Sequence, residues 1–313
     1  MTNPYVFVVG CPRSGTTLLQ RMLDAHPRLT VANDTHFITR AVKSVLKRDA
    51  NPPMSSELVD LVLAYRRFRR MGLSEAEVRD AAHGCNFYSE FVSRLYTLRG
   101  RKIGKSLSGE KTPDFCRQMP QLHTLFPKAR FVHIIRDGRN TALSAVNWAT
   151  DSKGPGKWET WREDSIGTCA LWWRWQVSQG LRDGARLPDG TYQEVLYEDL
   201  VAEPESRLAY LADFLGLEDA REMAEFHAGK TRNHPGLSAK SAWLPPTQGL
   251  RDWTNQMNRV DLQVFEGVAG GLLQQLGYSL SGLETSMEAV ARIKALEHWW
   301  LGQKMSRDLQ SIP

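Results

Sequence analysis

The sequence predicts an α/β fold in which a central parallel sheet is flanked by helices. Two apolar runs rich in β-branched and aromatic residues, 5–9 and 130–135, are typical of strands buried on both faces. A glycine-containing turn follows the first run, and segments with helical apolar spacing fill most of the chain between the strands. Strands that alternate with helices in this way usually form a parallel sheet, because each helix carries the chain back to start the next strand.

The predicted helices follow from apolar residues spaced three and four apart. The first begins at Thr16 and stops at Pro27, which disfavours helical geometry in the residue before it. Another helix begins at Asn140, after the second buried strand, and a third, shorter strand is predicted at 192–197. The other predicted helices are 56–71, 87–98, 115–126, 166–182, 205–215, 260–275 and 282–305.

Length and composition fit one folded domain over residues 1–313. The chain is long enough for a sizeable core, and 42% hydrophobic with 24% charged residues is ordinary globular usage. The loops at 151–161 and 233–253 are too short and too apolar to separate independent domains. The final predicted helix packs either on the body of this domain or on a second subunit, which would make a homodimer.

The charge balance suits a small anionic ligand better than a nucleic acid. The 40 Lys and Arg residues against 35 Asp and Glu residues give a net charge of +5, and no Lys/Arg run is long enough to form a basic stripe. Such a modest excess fits a protein whose ligand is a compact polyanion.

Cysteine spacing and hydropathy predict a cytoplasmic protein. The four cysteines lie far apart and form no CxxC pair, which argues against a zinc site or a disulfide framework. The apolar run near residue 5 is too short for a signal sequence, and no apolar stretch is long enough to span a bilayer.

A phosphate-binding loop is predicted between the first strand and the first helix. Gly10 and Gly15 frame a turn whose backbone N–H groups, with the helix N-terminus, can hold phosphate oxygens. Arg13 adds a fixed positive charge, and Thr16 and Thr17 add hydroxyl groups. The alternative is a glycine turn that binds nothing.

Thr16 stands where the loop of an NTPase has its lysine. That lysine reaches the β- and γ-phosphates, so a nucleoside triphosphate would lose its main charge partner here. A ligand with one 5'-phosphoryl unit and a terminal sulfuryl group carries less charge and needs less. A P-loop kinase, which would also need an Asp for Mg²⁺ at the end of a later strand, remains the alternative enzyme.

A second anion site is predicted after the second buried strand. Arg136 follows the strand at the carboxyl edge of the sheet, and Ser144 lies eight residues later near the start of a helix. Two separate phosphate sites fit a nucleotide with both a 5'- and a 3'-phosphate. In the alternative, Arg136 pairs with Asp137 and Ser144 lies on the helix surface. We expect Asp137 and Arg139 to cap or orient the turn.

The loop resembles that of a known family. Residues 11–18, CPRSGTTL, resemble the 5'-phosphosulfate loop of sulfotransferases that use 3'-phosphoadenosine-5'-phosphosulfate (PAPS), and the continuation to Pro27 is similar to the bacterial members and the tyrosylprotein sulfotransferases. The spacing of Arg136 and Ser144 resembles the family's 3'-phosphate signature. The resemblance implies a P-loop-like sulfotransferase fold and metal-independent transfer of a sulfuryl group, with the 3',5'-bisphosphate PAP as product.

The resemblance also implies roles for single residues. The cofactor-binding residues would be Arg13, Ser14, Gly15, Thr16, Thr17, Arg136, Ser144, Tyr197 and Arg251, with Tyr197 near the adenosine and Arg251 in a 3'-phosphate loop. Lys111 corresponds to a family lysine that meets the oxygen bridging phosphate and sulfate, and with Arg13 it would supply positive charge for catalysis. The alternatives are a solvated Lys111 and a Tyr197 that belongs to the core.

The general base is expected in the segment after the first helix. A glutamate serves as base there in the tyrosylprotein and some bacterial sulfotransferases, and ungapped counting from the loop puts it at Asp34. His36 would position the acceptor or replace Asp34 as base. In the alternative, Asp34 caps a helix that begins nearby.

The acceptor is not specified by the sequence. Small-molecule, sugar, lipid and peptide hydroxyls remain open, because acceptor pockets are built from loops in which the resemblance is weakest. Most of the tryptophans at 158, 161, 172, 173 and 175 are expected in the core, with one or two in an acceptor pocket. A protein that binds the nucleotide without catalysis is the alternative from another class.

Overall fold

A computed structural model of the chain describes residues 3–228 and 251–307. In this part of the chain, five parallel strands form one sheet in the order β2-β3-β1-β4-β5. The strands are β1 (Val6–Val9), β2 (Leu29–Asn33), β3 (Leu107–Lys111), β4 (Arg130–Ile135) and β5 (Tyr192–Leu196). The predicted parallel sheet is therefore confirmed.

Two strands of the sheet, β2 and β3, escaped the sequence analysis. β3 has the polar sequence Ser108-Gly109-Glu110-Lys111 after its first residue, yet all five of its residues are buried. A Cβ on Gly109 would lie 2.5 Å from the carbonyl oxygen of Val6, so β3 approaches β1 very closely there. A strand that is buried but polar has neither the apolar run nor the alternation by which strands are recognised.

Both faces of the sheet are covered by apolar side chains. Phe7 and Val9 of β1 join one buried cluster, and Val6 and Val8 join another, because successive strand residues point to opposite faces. This burial on both faces explains why β1 is continuously apolar and β4 mostly so.

The described residues also form helices, which belong to both parts of the chain. They are α1 (Thr16–Ala25), α2 (Phe37–Arg40), α3 (Lys43–Leu46), α4 (Ser56–Ala64), α5 (Glu75–Ala82), α6 (Tyr88–Lys102), α7 (Met119–Leu125), α8 (Gly138–Val146), α9 (Ser165–Gly184), α10 (Tyr197–Ala202), α11 (Pro204–Leu215), α12 (Arg221–Ala224), α13 (Trp253–Gln256), α14 (Arg259–Gln275) and α15 (Met287–Arg307). Short 3₁₀ helices occur at Arg66–Met71, Pro113–Arg117, Gly154–Lys157 and Glu159–Trp161.

Two predicted helices are interrupted. The segment 56–71 is broken at Tyr65, whose extended backbone (ψ 107°) separates α4 from a 3₁₀ helix. The segment 115–126 is broken at Gln118, and α7 then begins with Pro120 in its first turn, where proline favours a new helix start. α5 was not predicted, although Ser74 and Glu77 form a capping box at its start.

The chain divides into two compact units. The first comprises Met1–Gly10, Gly15–Ile135 and Gly180–Thr247, and the second comprises Cys11–Ser14, Arg136–Gln179 and Gln248–Pro313. The single domain over residues 1–313 stays a prediction. Within the described residues, no helix has both the length and the apolar character needed to cross a bilayer.

The last helix packs within its own unit. Arg292 of α15 forms ion pairs with Asp164 at 2.7 Å and with Asp261 of α14 at 2.8 Å, and Leu296 is buried. One of the two predicted packing partners, the body of the same chain, is thus confirmed, and the homodimer stays a prediction.

Candidate active site

The predicted phosphate loop connects β1 to α1 and is shaped by two glycines. Gly10 and Gly15 have φ angles of 154° and 91°, in the region that favours glycine. A Cβ on Gly10 would lie 2.4 Å from the carbonyl oxygen of Ile134, and one on Gly15 would lie 2.3 Å from a ring carbon of Tyr197. Gly15 is the N-cap residue of α1, and because it has no side chain, no side-chain cap occupies the first N–H groups of the helix. This is the backbone arrangement of a loop that binds an anion at a helix N-terminus.

Three predicted site residues have strained backbone conformations. Arg13, Asp34 and His36 have φ angles of 80°, 54° and 56°, and among the described non-glycine residues only Asp219 shares this left-handed region. Such a conformation costs about 1–2 kcal/mol per residue and persists where the surrounding structure holds it in place. Strain of this kind concentrates at functional sites, which agrees with the predicted roles.

Within the second unit, the residues predicted to bind phosphate are neighbours. The Nε of Arg13 donates a hydrogen bond to the Ser144 hydroxyl at 3.1 Å, and Arg136 donates to the carbonyl oxygen of Arg13 at 3.4 Å. The buried indole N–H of Trp173 donates to the carbonyl oxygen of Arg136 at 3.1 Å. Ser144 lies on α8, as the sequence predicts, but it is the seventh of nine residues, so its predicted place near the positive start of the helix is wrong.

Positive charge accumulates around Arg13. Burial lowers the pKa of Arg13, and the charges of Arg136 and Arg251 lower it further. Arg251 itself is exposed. A polyanion bound beside Arg13 would offset the repulsion that Arg13 experiences from Arg136 and Arg251.

The turn after β4 is organised by Asp137 and Arg139. Asp137 is the N-cap of α8 and accepts a hydrogen bond from the N–H of Arg139 at 2.9 Å. The two side chains pair at 2.7 Å, and Arg139 also pairs with Glu266 at 2.7 Å and lies over the Trp253 ring at 3.7 Å. The structural roles predicted for both residues are confirmed.

Within the first unit, Asp34, Lys111 and Thr17 form a second group. The adjacent ends of β2 and β3 bring Asn33 opposite Lys111, and the N–H of Asp34 donates to the carbonyl oxygen of Lys111 at 2.7 Å. The Lys111 ammonium lies 3.2 Å from the Asp34 carboxylate and donates to the Thr17 hydroxyl at 3.3 Å. Burial lowers the pKa of Lys111, and the charge of Asp34 opposes this effect. Lys111 is therefore not the solvated loop lysine of the alternative.

The alternative in which Asp34 caps a helix is wrong. The nearby helix α2 has His36 as its N-cap, and no side chain caps it. The Asp34 carboxylate instead pairs with Lys111 and lies 3.9 Å from Arg70. Arg70 also donates to the carbonyl oxygen of Asp34 at 2.9 Å, which holds this segment from its solvent side.

His36 is buried and uncharged at neutral pH. Burial lowers the pKa of His36 to about 3, with further lowering by Arg40 and Arg67. An imidazole with so low a pKa has little affinity for a proton, which makes it a weaker candidate for the base than a neighbouring carboxylate.

The remaining predicted residues are placed as follows. Tyr197 begins α10, half-buried, with its ring beside Gly15. Thr16 is buried, and the Ser14 hydroxyl lies 3.5 Å from that of Thr141. Their ligand-binding roles stay predictions. In the described ranges, no three His, Cys, Asp or Glu side chains are grouped so as to hold a metal ion.

Two residues beside Asp34 were missed by the sequence analysis. Glu110 directly precedes Lys111 in β3 and is fully buried, and Arg70 reaches Asp34 from a 3₁₀ helix. A carboxylate inside a buried strand is unusual and would have indicated a role for Glu110. This indication depends on knowing that residues 107–111 form a strand, which was not predicted. Arg70 lies 36 residues from Asp34, a separation at which sequence gives no indication of contact.

The tryptophan-rich region divides into a buried and a half-buried part. Trp172 and Trp173 are buried, but the other three are half-buried, so the expectation that most of this group lies in the core is wrong. Trp158 and Trp161 are half-buried, and Trp158 packs with Trp175 and with two tryptophans of α15 at centroid distances of 5.4 to 5.8 Å, namely Trp299 and Trp300. Their predicted part in an acceptor pocket stays a prediction.

The sequence of this chain is similar to those of sulfotransferases. A family model described as "Sulfotransferase family" matches residues 4–221. Protein-tyrosine sulfotransferase A of Caenorhabditis elegans is 24% identical over 216 residues, which cover 69% of this chain and 50% of the relative. Protein-tyrosine sulfotransferase 1 of Danio rerio is 26% identical over 284 residues, covering 88% of this chain and 72% of the relative. The chain thus spans half the length of the first of these relatives.

The structure of this chain is similar to solved structures of sulfotransferase domains. The sulfotransferase domain of the curacin biosynthetic pathway superimposes with a TM-score of 0.57 and 17% identity, covering 88% of this chain and 98% of that domain. The sulfotransferase domain of the Synechococcus PCC 7002 olefin synthase gives a TM-score of 0.55 and 19% identity, covering 88% and 95%. These similarities confirm the predicted sulfotransferase fold.

Proposed function

The chain belongs to the sulfotransferase family, and we propose that it transfers a sulfuryl group from PAPS to an acceptor hydroxyl, leaving PAP. The observation that carries this proposal is the cluster of positive charge formed by Arg13, Arg136 and Arg251. The Ser144 hydroxyl beside Arg13 adds a neutral donor to this cluster. A nucleotide that carries both a 5'- and a 3'-phosphate would offset the repulsion that Arg13 experiences from Arg136 and Arg251.

The residues of the predicted phosphate loop fit PAPS better than a nucleoside triphosphate. Thr16 occupies the position of the NTPase lysine, and its side chain is buried. Nothing at this position would neutralise a γ-phosphate. We therefore favour sulfuryl transfer over the kinase alternative.

Asp34 and Lys111 would carry the chemistry. When bound, PAPS supplies an activated sulfuryl group. Asp34 would accept the proton of the acceptor hydroxyl as general base, because its side chain is 20% exposed and an acceptor can reach it beside Lys111. Lys111 would stabilise the negative charge that develops on the leaving oxygen, and its burial strengthens this electrostatic effect. His36, neutral at pH 7, would orient the acceptor.

The acceptor that we propose is the phenolic hydroxyl of a peptide tyrosine next to acidic residues. The relatives found by sequence are named protein-tyrosine sulfotransferases. Arg40, Arg67 and Arg70 are exposed around Asp34 and His36, and these arginines would attract carboxylates that flank the tyrosine. A cytoplasmic location also stays a prediction, without bearing on this chemistry.

Two measurements test the proposal, first of ligand binding and then of turnover. Calorimetry in the presence of EDTA is expected to show that PAP binds and that ATP binds at least about tenfold more weakly. Mass spectrometry after incubation with PAPS is expected to show a sulfated product for a tyrosine peptide with flanking Glu, and a slower reaction for the same peptide with flanking Lys. Metal-dependent ATP binding tighter than PAP binding would favour the kinase. PAP binding without turnover on peptide, sugar, lipid or small-molecule acceptors would favour a non-catalytic nucleotide-binding protein.

A further inference from the structure

Glu110 is a buried carboxylate that the proposed chemistry does not use. It lies in β3 between β1 and β2, opposite Phe7 on one side and Ala32 on the other, and none of its surface is exposed. A carboxylate in such a position is unfavourable unless hydrogen bonds satisfy it.

Four hydrogen bonds satisfy Glu110, and two of them come from one residue. Oε1 accepts from the backbone N–H of Thr35 at 2.9 Å and from the Thr112 hydroxyl at 2.5 Å. Oε2 accepts from the Thr35 hydroxyl at 2.9 Å and from the Tyr96 hydroxyl at 2.7 Å. Both oxygens of Glu110 therefore hold Thr35, through its main chain and its side chain.

Thr35 lies between two residues that have strained backbone conformations. The residue on each side, Asp34 and His36, has a left-handed backbone. An unrestrained chain would leave these conformations, because they are sparsely populated for residues other than glycine. The Asp34 side chain meets Lys111 only while the backbone here keeps this shape.

We propose that Glu110 is a positioning residue: by holding Thr35 from the buried side, it fixes the Asp34 carboxylate against the Lys111 ammonium. This inference rests on the proposed function for the part assigned to Asp34. Arg70 holds the same segment from the solvent side through the carbonyl oxygens of Asn33 and Asp34. The base is thus carried on a short loop held from both sides.

The four hydrogen-bond donors around position 110 explain why the residue there is a carboxylate. Burial raises the pKa of Glu110, and the four donors oppose this effect by stabilising the ionised form. The ionised carboxylate can accept from an N–H group and three hydroxyls at once, whereas a glutamine offers one acceptor oxygen and an NH₂ group. In Glu110→Gln the Thr35 and Tyr96 hydroxyls can rotate to accept from the NH₂ group, so the fold survives. The bonds to Thr35 then lose their charge assistance, and the segment is held less tightly.

The test uses Glu110→Gln in the full chain, with Tyr88→Phe as a matched control. Tyr88 and Tyr96 are both buried tyrosines of α6, but the Tyr88 hydroxyl bonds to the carbonyl oxygen of Ile38 at 3.1 Å and not to Glu110. Glu110→Gln is expected to lower kcat about tenfold or more, as loss of a supporting hydrogen bond does, and to leave the Kd for PAP within about twofold. Tyr96→Phe is expected to act in the same direction, and Tyr88→Phe to leave kcat unchanged.

A double-mutant cycle separates positioning from general structural support. If Glu110 acts through Asp34, then Glu110→Gln has no further effect on kcat in an Asp34→Asn background. A structural role would instead lower kcat by the same factor in both backgrounds. Additive losses, an unchanged kcat in Glu110→Gln, or equal losses of kcat and PAP affinity would each overturn the proposal.

Amide hydrogen exchange provides a readout that does not depend on turnover. The Thr35 N–H should exchange at least about tenfold faster in Glu110→Gln than in the wild type or in Tyr88→Phe, because its acceptor is weakened. If the wild-type protein shows no sulfuryl transfer, the proposed function fails, while faster Thr35 exchange would still support the positioning of this segment. Unchanged exchange would contradict the positioning whether or not the enzyme is active.

Discussion

Replacing Lys111 with methionine removes a buried positive charge but keeps an unbranched side chain of similar length. The Lys111 ammonium lies 3.2 Å from the Asp34 carboxylate and 3.3 Å from the Thr17 hydroxyl. Lys111→Met therefore removes the charge that would stabilise the leaving oxygen. Loss of one such electrostatic donor raises the activation free energy by about 2.7–4 kcal/mol, so we expect kcat to fall about 10²–10³-fold.

The same substitution should have little effect on the fold. Burying an ammonium group is unfavourable in itself, and a methionine side chain suits the buried position. The Asp34 side chain is 20% exposed and keeps Arg70 nearby, so its carboxylate is not left buried and alone. We expect the free energy of unfolding to change by no more than about 1 kcal/mol.

Initial rates with PAPS and a tyrosine peptide give kcat, and calorimetry gives the Kd for PAP. Lys102→Met is the matched control, because Lys102 is exposed and bonds to Glu77 in the same unit. Lys102→Met should leave kcat unchanged. A kcat for Lys111→Met within about threefold of the wild type, or a loss of PAP affinity as large as the loss of kcat, would refute the role of Lys111 in charge stabilisation.

Three further predictions concern binding, fold and pH. Arg136→Ala should weaken PAP binding by about 1.5–3 kcal/mol, the contribution of one charged hydrogen bond, and calorimetry that shows unchanged affinity would exclude Arg136 from the site. Gly15→Ala should abolish PAP binding, because its Cβ would lie 2.3 Å from the Tyr197 ring at a φ of 91°, and full binding would contradict this packing. Burial lowers the pKa of His133 to about 3, below the 6.5 of an unfolded histidine, so the unfolded state binds more protons between these pH values. The wild type should therefore lose about 1.4 kcal/mol of unfolding free energy per pH unit at this residue as pH falls from 6.5 towards 3, and urea unfolding of His133→Gln should show a shallower decline.

The sequence predicted those parts of the fold whose burial follows a regular pattern. β1 is apolar throughout and β4 is mostly apolar, because helices cover both faces of the sheet, and this makes the two strands recognisable. β3 is equally buried, but its residues Ser108, Glu110 and Lys111 are polar. Their polarity is matched by hydrogen bonds to residues distant in the chain, such as Tyr96 and Thr35, and no local pattern reveals such partners.

The candidate site shows the same division. The loop from Gly10 to Thr17 could be predicted because its function depends on backbone geometry and on residues adjacent in sequence. The pairing of Asp34 with Lys111 depends on β2 and β3 lying side by side, which neither strand's sequence indicated. The left-handed backbone at Asp34 is likewise a tertiary effect, since a bond network built on Glu110 and Arg70 holds it.

The most direct test of the proposed activity is a competition between two labelled donors. The chain is incubated with a tyrosine peptide, PAPS labelled in its sulfur and Mg²⁺–ATP labelled in its γ-phosphate, and the peptide is then separated and counted. We expect the peptide to acquire the sulfur label and no phosphorus label, and we expect Asp34→Asn to lower the rate by about 10²–10⁴-fold. Phosphorus label on the peptide, or no sulfur label with any acceptor while PAP still binds, would contradict the proposed activity.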